Sequence, residues 1–227
     1  IARARPEKTD PARERIARLV STLVPRDATV QLGIGALADE IARALPGGAH
    51  MGLHCGSLPE GALERIRRGA FERADGGADR GRQVATSQAR APRGGERLPA
   101  SISLRPIEST HSPDALANGQ RHWAVNSALD VDLFGQPNSE WLGGRRVASA
   151  GGLADFTRGA HLSPGGASVL ALPARTASGR ARIRSTLASP SVVSAPAAEI
   201  DFLATEHGIA ELRGLTRSHR AEAIIGV

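Results

Sequence analysis

Apolar and polar positions along the chain fall into two periods that alternate. From Asp10 to Val24 the apolar residues Ile16, Leu19, Val20 and Leu23 recur at helical spacing, with Asp10 at the N-cap and Pro11 in the first turn. Ala28–Leu32 is then a short β-rich run that enters Gly33-Ile34-Gly35, and residues 36–45 return to the helical period. Residues 49–54 predict a second strand, 58–68 a helix, 112–118 a short helix, and 122–126 and 128–133 two further strands. Strands are also expected at 146–150, at 169–172 as a buried run, at 191–193 and at 200–205, with a helix from Ser218 onward. Strand and helix alternate throughout, which predicts an α/β fold with a mainly parallel sheet covered by helices. The exception is the stretch 72–101, rich in Gly, Arg and small polar residues, expected as a weakly structured excursion with one short strand near Gln83–Ala85. No repeat interrupts the pattern.

Composition sharpens this picture in three places. Aromatic residues are only 3% of the 227, with no Tyr, so the core must be built from Ala, Val, Leu and Ile, and large cavities walled by aromatic rings are not expected. The formal charge is +6 and the pI about 11.1, and Lys8 is the sole lysine. A basic balance can indicate nucleic acid or an anionic small molecule. Nucleic acid is disfavoured because stacking on single strands needs exposed aromatics and no recognised DNA-binding spacing occurs. A single cysteine, Cys55, excludes a disulfide framework and a cysteine zinc site. No apolar run reaches the ~20 residues of a membrane span, and the amino terminus lacks the apolar stretch of a secretory signal, so a cytoplasmic location is expected. The abrupt ends, Ile1 and Val227, suggest a piece of a longer chain.

Candidate chemistry concentrates at glycine turns. Gly33-Ile34-Gly35, between a strand and a helix, is where backbone amides and a helix terminus can cradle a phosphate, although a structural tight turn explains the same residues. Gly151-Gly152 follows another strand and precedes Asp155-Phe156, a pair that reads as buried. His50 and His54 lie four apart with no third ligand in view, so no metal site is expected, and Ser127 lacks the context of a hydrolase nucleophile.

Five segments in order carry a resemblance: QLGIGAL (31–37), GLHCG (52–56), NSALDVDLFGQ (126–136), GGLADFTRGA (151–160) and TEHGIAELRG (205–214). Together they resemble the acetyl-CoA hydrolase/transferase family, which includes acetate, butyrate, succinate and 4-hydroxybutyrate CoA-transferases. The resemblance implies that residues 1–227 are a single carboxy-terminal domain of the class I CoA-transferase type. The amino-terminal half of the enzyme, or a partner subunit, would complete the site, and a homo-oligomer is expected. Its substrates would be an acyl-CoA and a small carboxylate such as acetate, with no covalently bound cofactor.

The family's turn after its second strand carries a glutamate that attacks the acyl-CoA, giving an acyl anhydride and then a glutamyl-CoA thioester. Here Gly52, Leu53 and His54 match, Cys55 stands where threonine is usual, and Gly56 occupies the glutamate position. The turn is kept and its reactive group is missing. Substitutes to consider are Cys55, a thiol able to exchange with thioesters; Glu60, a helical turn further on; and Glu206, which matches a glutamate near the family's active site. The resemblance assigns CoA contacts to Gly33, Ile34, Gly35, Ala36 and Leu37, to Asn126, and to the loop holding Ser149, Gly151 and Gly152. Ser149 and Leu153 depart from the usual glycine and glutamine. Arg175, Arg180, Arg182 and Arg184 form either a phosphate-pairing cluster or a solvated basic loop. A domain that binds CoA without turning it over is the alternative reading.

Overall fold

The computed structural model describes residues 10–46, 51–71, 84–88, 99, 102–119 and 121–227. In chain order it contains α1 (Pro11–Leu23), β1 (Thr29–Leu32), α2 (Ala36–Ala44), β2 (Gly52–Ser57), α3 (Glu60–Arg67), β3 (Val84–Gln88) and β4 (Ile102–Leu104). There follow α4 (Ile107–Thr110), α5 (Pro113–Asn118), β5 (His122–Asn126), β6 (Asp130–Asp132), β7 (Pro137–Asn138), β8 (Trp141–Leu142) and β9 (Arg145–Arg146). The chain closes with α6 (Leu153–Leu162), β10 (Ala167–Ala171), β11 (Ile183–Arg184), a 3-10 turn at Ala197–Glu199, β12 (Phe202–Ala204), β13 (Ile209–Glu211) and α7 (Arg217–Ile225).

Eight strands form one sheet in the order β13-β12-β10-β5-β1-β2-β3-β4, parallel except for the β12–β13 hairpin. The interior strands show why. All five residues of β10, ASVLA, are buried, the continuous burial of a strand covered on both faces. Alternation then sorts the side chains: Trp123 and Val125 of β5 pack with Ile16 and Val20 of α1 and Ile41 of α2. Ala124, on the opposite face, packs with Leu116 of α5 and with Phe156 and Ala160 of α6. A third cluster joins Leu170, Leu203 and Leu212 to Ile224 of α7. Asp10 caps α1 as expected, its Oδ1 accepting from the Ala12 amide at 3.0 Å.

Differences from the expected elements have local causes. Ser191–Val193 is not a strand; Val192 and Val193 are largely exposed and no neighbouring strand pairs with them. Of 146–150 only Arg146 is extended in a strand, because the Val147 and Ala148 amides donate to the Glu140 carbonyl instead. The 128–133 run contracts to β6, which pairs with β7 and β11 in a small separate sheet. The excursion 72–101 lies mostly outside the described residues, as does His50, but Val84–Gln88 within it is a full member of the main sheet beside β2.

Candidate active site

The sheet order reverses direction at β1. After β1 the chain builds outward through β2, β3 and β4, then returns to place β5 on the other side of β1 and continues to β10 and β12. Open α/β sheets hold ligands at the carboxyl ends of the strands on either side of such a reversal. A cavity of about 1090 Å³ lies there, lined by Leu32, Gly33 and Ile34 after β1, by Gly56 and Ser57 of β2, and by Asn126 and Ser127 at the end of β5. The 148–153 loop, Asp155 and Phe156 of α6, and Ile107, Glu108, His111 and Ser112 complete the wall. Phe156 is its one Phe, Tyr or Trp side chain; the remainder is mostly small residues, in keeping with the composition.

Backbone and amide geometry set the wall between β1 and β5. Gln31 and Asn126 exchange reciprocal side-chain hydrogen bonds of 3.1 and 2.8 Å across the two strands. Each amide keeps one N–H and one acceptor lone pair beyond that exchange, and Asn126 faces the cavity. Gly35 begins α2 at φ +108, a conformation that favours glycine.

Four rings meet beneath Gly56 and Gly152. The imidazole of His111 lies 4.6 Å from the Phe156 ring, centroid to centroid, and His54 and His122 pack against the same phenyl at 6.4 and 6.2 Å. A Cβ added at Gly56 would meet His111 Cε1 and Nε2 at 2.9 Å, and one at Gly152 would meet His111 Nε2 at 2.6 Å. The His111 ring therefore fills the space that a side chain at Gly56 would enter.

Hydrogen bonds orient that ring. Thr110 Oγ1 lies 3.3 Å from the Ile107 carbonyl and 3.0 Å from His111 Nδ1. The hydroxyl thus sits between the Ile107 carbonyl and His111 Nδ1, and that ring nitrogen is engaged by it in either tautomer. His111 Nε2 is the ring nitrogen with no protein partner among the described residues, and His111 lines the cavity. His54 Nε2–H donates to the Thr110 carbonyl at 2.8 Å and so pins the segment that carries His111. Burial lowers the pKa of His54, and that of His122 to about 3, with mutual repulsion adding to the shift at His122; both are held neutral.

The sequence candidates separate sharply in space. Gly33, Ile34, Asn126, Ser149, Gly151 and Gly152 line the cavity; Gly35, Ala36 and Leu37 do not, Leu37 instead entering the core from the first turn of α2. Cys55 points to the opposite face of β2 from Gly56. It is fully buried, the Leu32 amide donates to its sulfur at 3.4 Å, and burial pushes the thiol up to about 12. A thiol so protonated and enclosed is a poor nucleophile. Glu60 is exposed at the start of α3 and is not among the lining residues. Glu206 sits at the same sheet edge but beyond β12, where its carboxylate accepts from the Ala174 amide at 2.8 Å. Of the arginines, Arg180 and Arg184 turn to Asp130, at 2.8 and 3.5 Å, and Arg175 donates to the Gly179 carbonyl. Asp155 is exposed rather than buried with Phe156, because it faces the cavity mouth. Sequence reasoning passed over Glu108 and His111, and the space left at Gly56 was the one signal that something else fills it.

Among the described residues no group of three or more His, Cys, Asp or Glu side chains is placed to hold a metal ion, and no helix is long and apolar enough to cross a membrane.

Comparison with known proteins gives a consistent result. Residues 97–227 match the model of the acetyl-CoA hydrolase/transferase C-terminal domain. A 4-hydroxybutyrate coenzyme A transferase of Clostridium kluyveri is 31% identical over 98% of this chain and 52% of its own length. A butyryl-CoA:acetate CoA-transferase of Anaerostipes caccae is 29% identical over 93% of this chain and 49% of its own. Among solved structures, RipA from Yersinia pestis superposes with a TM-score of 0.87 at 30% identity, covering 100% of this chain and 52% of that one. A 4-hydroxybutyrate CoA-transferase from Porphyromonas gingivalis gives 0.79 at 29% identity, over 100% and 54%. The chain spans about half the length of the curated relatives it matches.

Proposed function

Because the chain belongs to the acetyl-CoA hydrolase/transferase family, we propose that its cavity holds a short acyl-CoA. There CoA moves from the acyl group to a small carboxylate such as acetate, or water cleaves the thioester, without a glutamyl intermediate. The observation that carries this reading is the coincidence of three features at one sheet edge. The strand-order reversal, the motifs at 31–37, 126–136 and 151–160, and Gly56 all border the same cavity. Gly56 has no side chain to form the anhydride, so any chemistry there must use another group or another acceptor. Ile34 and Ile107, both strongly exposed at the cavity wall, suit the proposal that an amino-terminal half or a partner subunit covers the mouth.

A second reading, a CoA-binding or regulatory subunit without turnover, is favoured by the placement of Cys55, Glu60 and Glu206 outside the cavity. One experiment separates the two. The full-length protein is given acetyl-CoA with labelled acetate, and label exchange, thiol release and CoA binding are followed together. The proposal expects CoA binding with exchange or thiol release. CoA binding alone selects the regulatory subunit, and no binding overturns both. Gly56→Glu by itself is expected to be poorly accommodated, since its Cβ starts 2.9 Å from His111; Gly56→Glu with His111→Ala is the variant in which exchange through a glutamate is expected.

A further inference from the structure

We propose that His111 is the general base of this site and that it makes water the acyl acceptor. The inference rests on the reading that an acyl-CoA occupies the cavity. Three independent observations meet at this side chain. Its ring occupies the space against Gly56 and Gly152. Its Nδ1 is engaged by Thr110, which leaves Nε2 as the nitrogen without a protein partner among the described residues, on a side chain that lines the cavity; the proposed base is the tautomer with the proton on Nδ1. Its position is fixed from two sides, by Phe156 packed at 4.6 Å and by half-buried His54 bonded to the Thr110 carbonyl at 2.8 Å. An imidazole with one nitrogen anchored and the other left for substrate is the arrangement that general-base catalysis requires. Glu108 and Asp155 also line the cavity, but both are exposed, and the atoms nearest a Cβ at Gly56 belong to His111 and Phe156.

The step balances without another reagent. Nε2 removes a proton from a water molecule as its oxygen forms a bond to the thioester carbonyl carbon. The tetrahedral intermediate collapses with cleavage of the carbon–sulfur bond, and the imidazolium returns its proton to the departing CoA thiolate. The products are a carboxylic acid and CoA thiol. Water is thereby favoured over a carboxylate acceptor, because a carboxylate has no proton for the imidazole to take.

The test uses the full-length protein and acetyl-CoA, with thiol release measured beside CoA affinity in the natural form, His111→Ala and His111→Gln. Both variants are expected to lose about 10²–10⁴-fold in thiol release, with CoA affinity retained. Added imidazole is expected to restore turnover to His111→Ala, a response that a merely structural histidine would not give. Thiol release unchanged in the variants, thiol release absent from a natural protein that binds CoA, or an acyl or CoA adduct mapped to Glu108 or Asp155 would each overturn the role of His111 alone. Failure of the natural protein to bind CoA removes the acyl-CoA reading and this inference with it. His111→Gln, which retains hydrogen-bonding capacity at the wall, shows whether a variant that binds CoA normally still lacks turnover.

Discussion

Two polar clusters sit at opposite edges of the same sheet, one saturated and one open. At the amino-terminal ends of β10 and β12, fully buried Asp201 accepts from Arg213 Nε and Nη2 at 2.8 Å each and from the Ser168 amide at 2.9 Å, with His161 Nδ1 at 3.0 Å. Its carboxylate is surrounded by donors, and nothing is left to offer a ligand. At the carboxyl-terminal edge His111 lines a cavity with one ring nitrogen bonded and the other without a protein partner among the described residues. A buried charge is tolerated where its hydrogen bonds are complete, and a group left with an open valence beside a large cavity is available for chemistry. The comparison teaches that satisfaction of hydrogen bonds, more than residue type, distinguishes the structural cluster from the candidate site.

The largest effect expected from challenging this contrast is at Asp201. Burial acts to raise its pKa, but Arg213, the Ser168 amide and His161 outweigh that and hold it below the usual carboxylate range. Its contribution is therefore complete above the unfolded-state value and is lost as pH falls through the depressed native value. Asp201→Ala should cost about 3–5 kcal/mol of stability at neutral pH, read as a shift in urea midpoint with unchanged slope. A loss well under that range would mean that the saturated cluster is not structural.

His122 comes next, and it tests the middle ground of a buried imidazole that does not line the cavity. Its Nε2 has no partner among the described residues, and its pKa falls from 6.5 to about 3. Between those values the unfolded chain binds a proton that the native protein refuses, so stability declines as pH drops through that window, by on the order of a few kcal/mol. His122→Phe should flatten that limb of a stability–pH curve; an unchanged limb would assign the acid sensitivity elsewhere.

Smaller effects separate steric from conformational roles at the open site. Gly152→Ala places a Cβ 2.6 Å from His111 Nε2 and 2.8 Å from Phe156, and should cost about 1–3 kcal/mol by overpacking while displacing the imidazole. Gly151→Ala meets nothing within 4 Å, and its cost, about 1 kcal/mol, comes from φ +58 alone. Thermal unfolding and thiol release measured on the pair should move together for Gly152 and diverge for Gly151. The smallest change is Glu206→Gln, expected to cost less than about 1 kcal/mol in denaturant unfolding because the amide oxygen still accepts from Ala174 N.

Much of the sheet was legible because its signals are local. The buried run at 169–172, the extended run at 122–126 and the capped helix after Asp10 each carry their own periodicity. Helix α4 was not, since four residues between Pro106 and His111 span one turn and show no period. His111 was missed for a related reason: in Ser109-Thr110-His111-Ser112 it reads as a polar linker ahead of a capped helix, and nothing near it in sequence marks a cavity. Cys55 and Gly56 are neighbours in sequence but face opposite sides of β2, so a motif that presented both as candidates was divided by strand geometry, one into the core and one onto the cavity.

Sequence by itself determined the α/β alternation and the family, because periodicity and ordered motifs are properties of short stretches. Tertiary structure alone decided what packs against Gly56. His111 is 55 residues beyond Gly56 in the chain, and only parallel pairing of β2 with β3 and of β3 with β4, followed by the turn of α4, carries its ring back against that glycine.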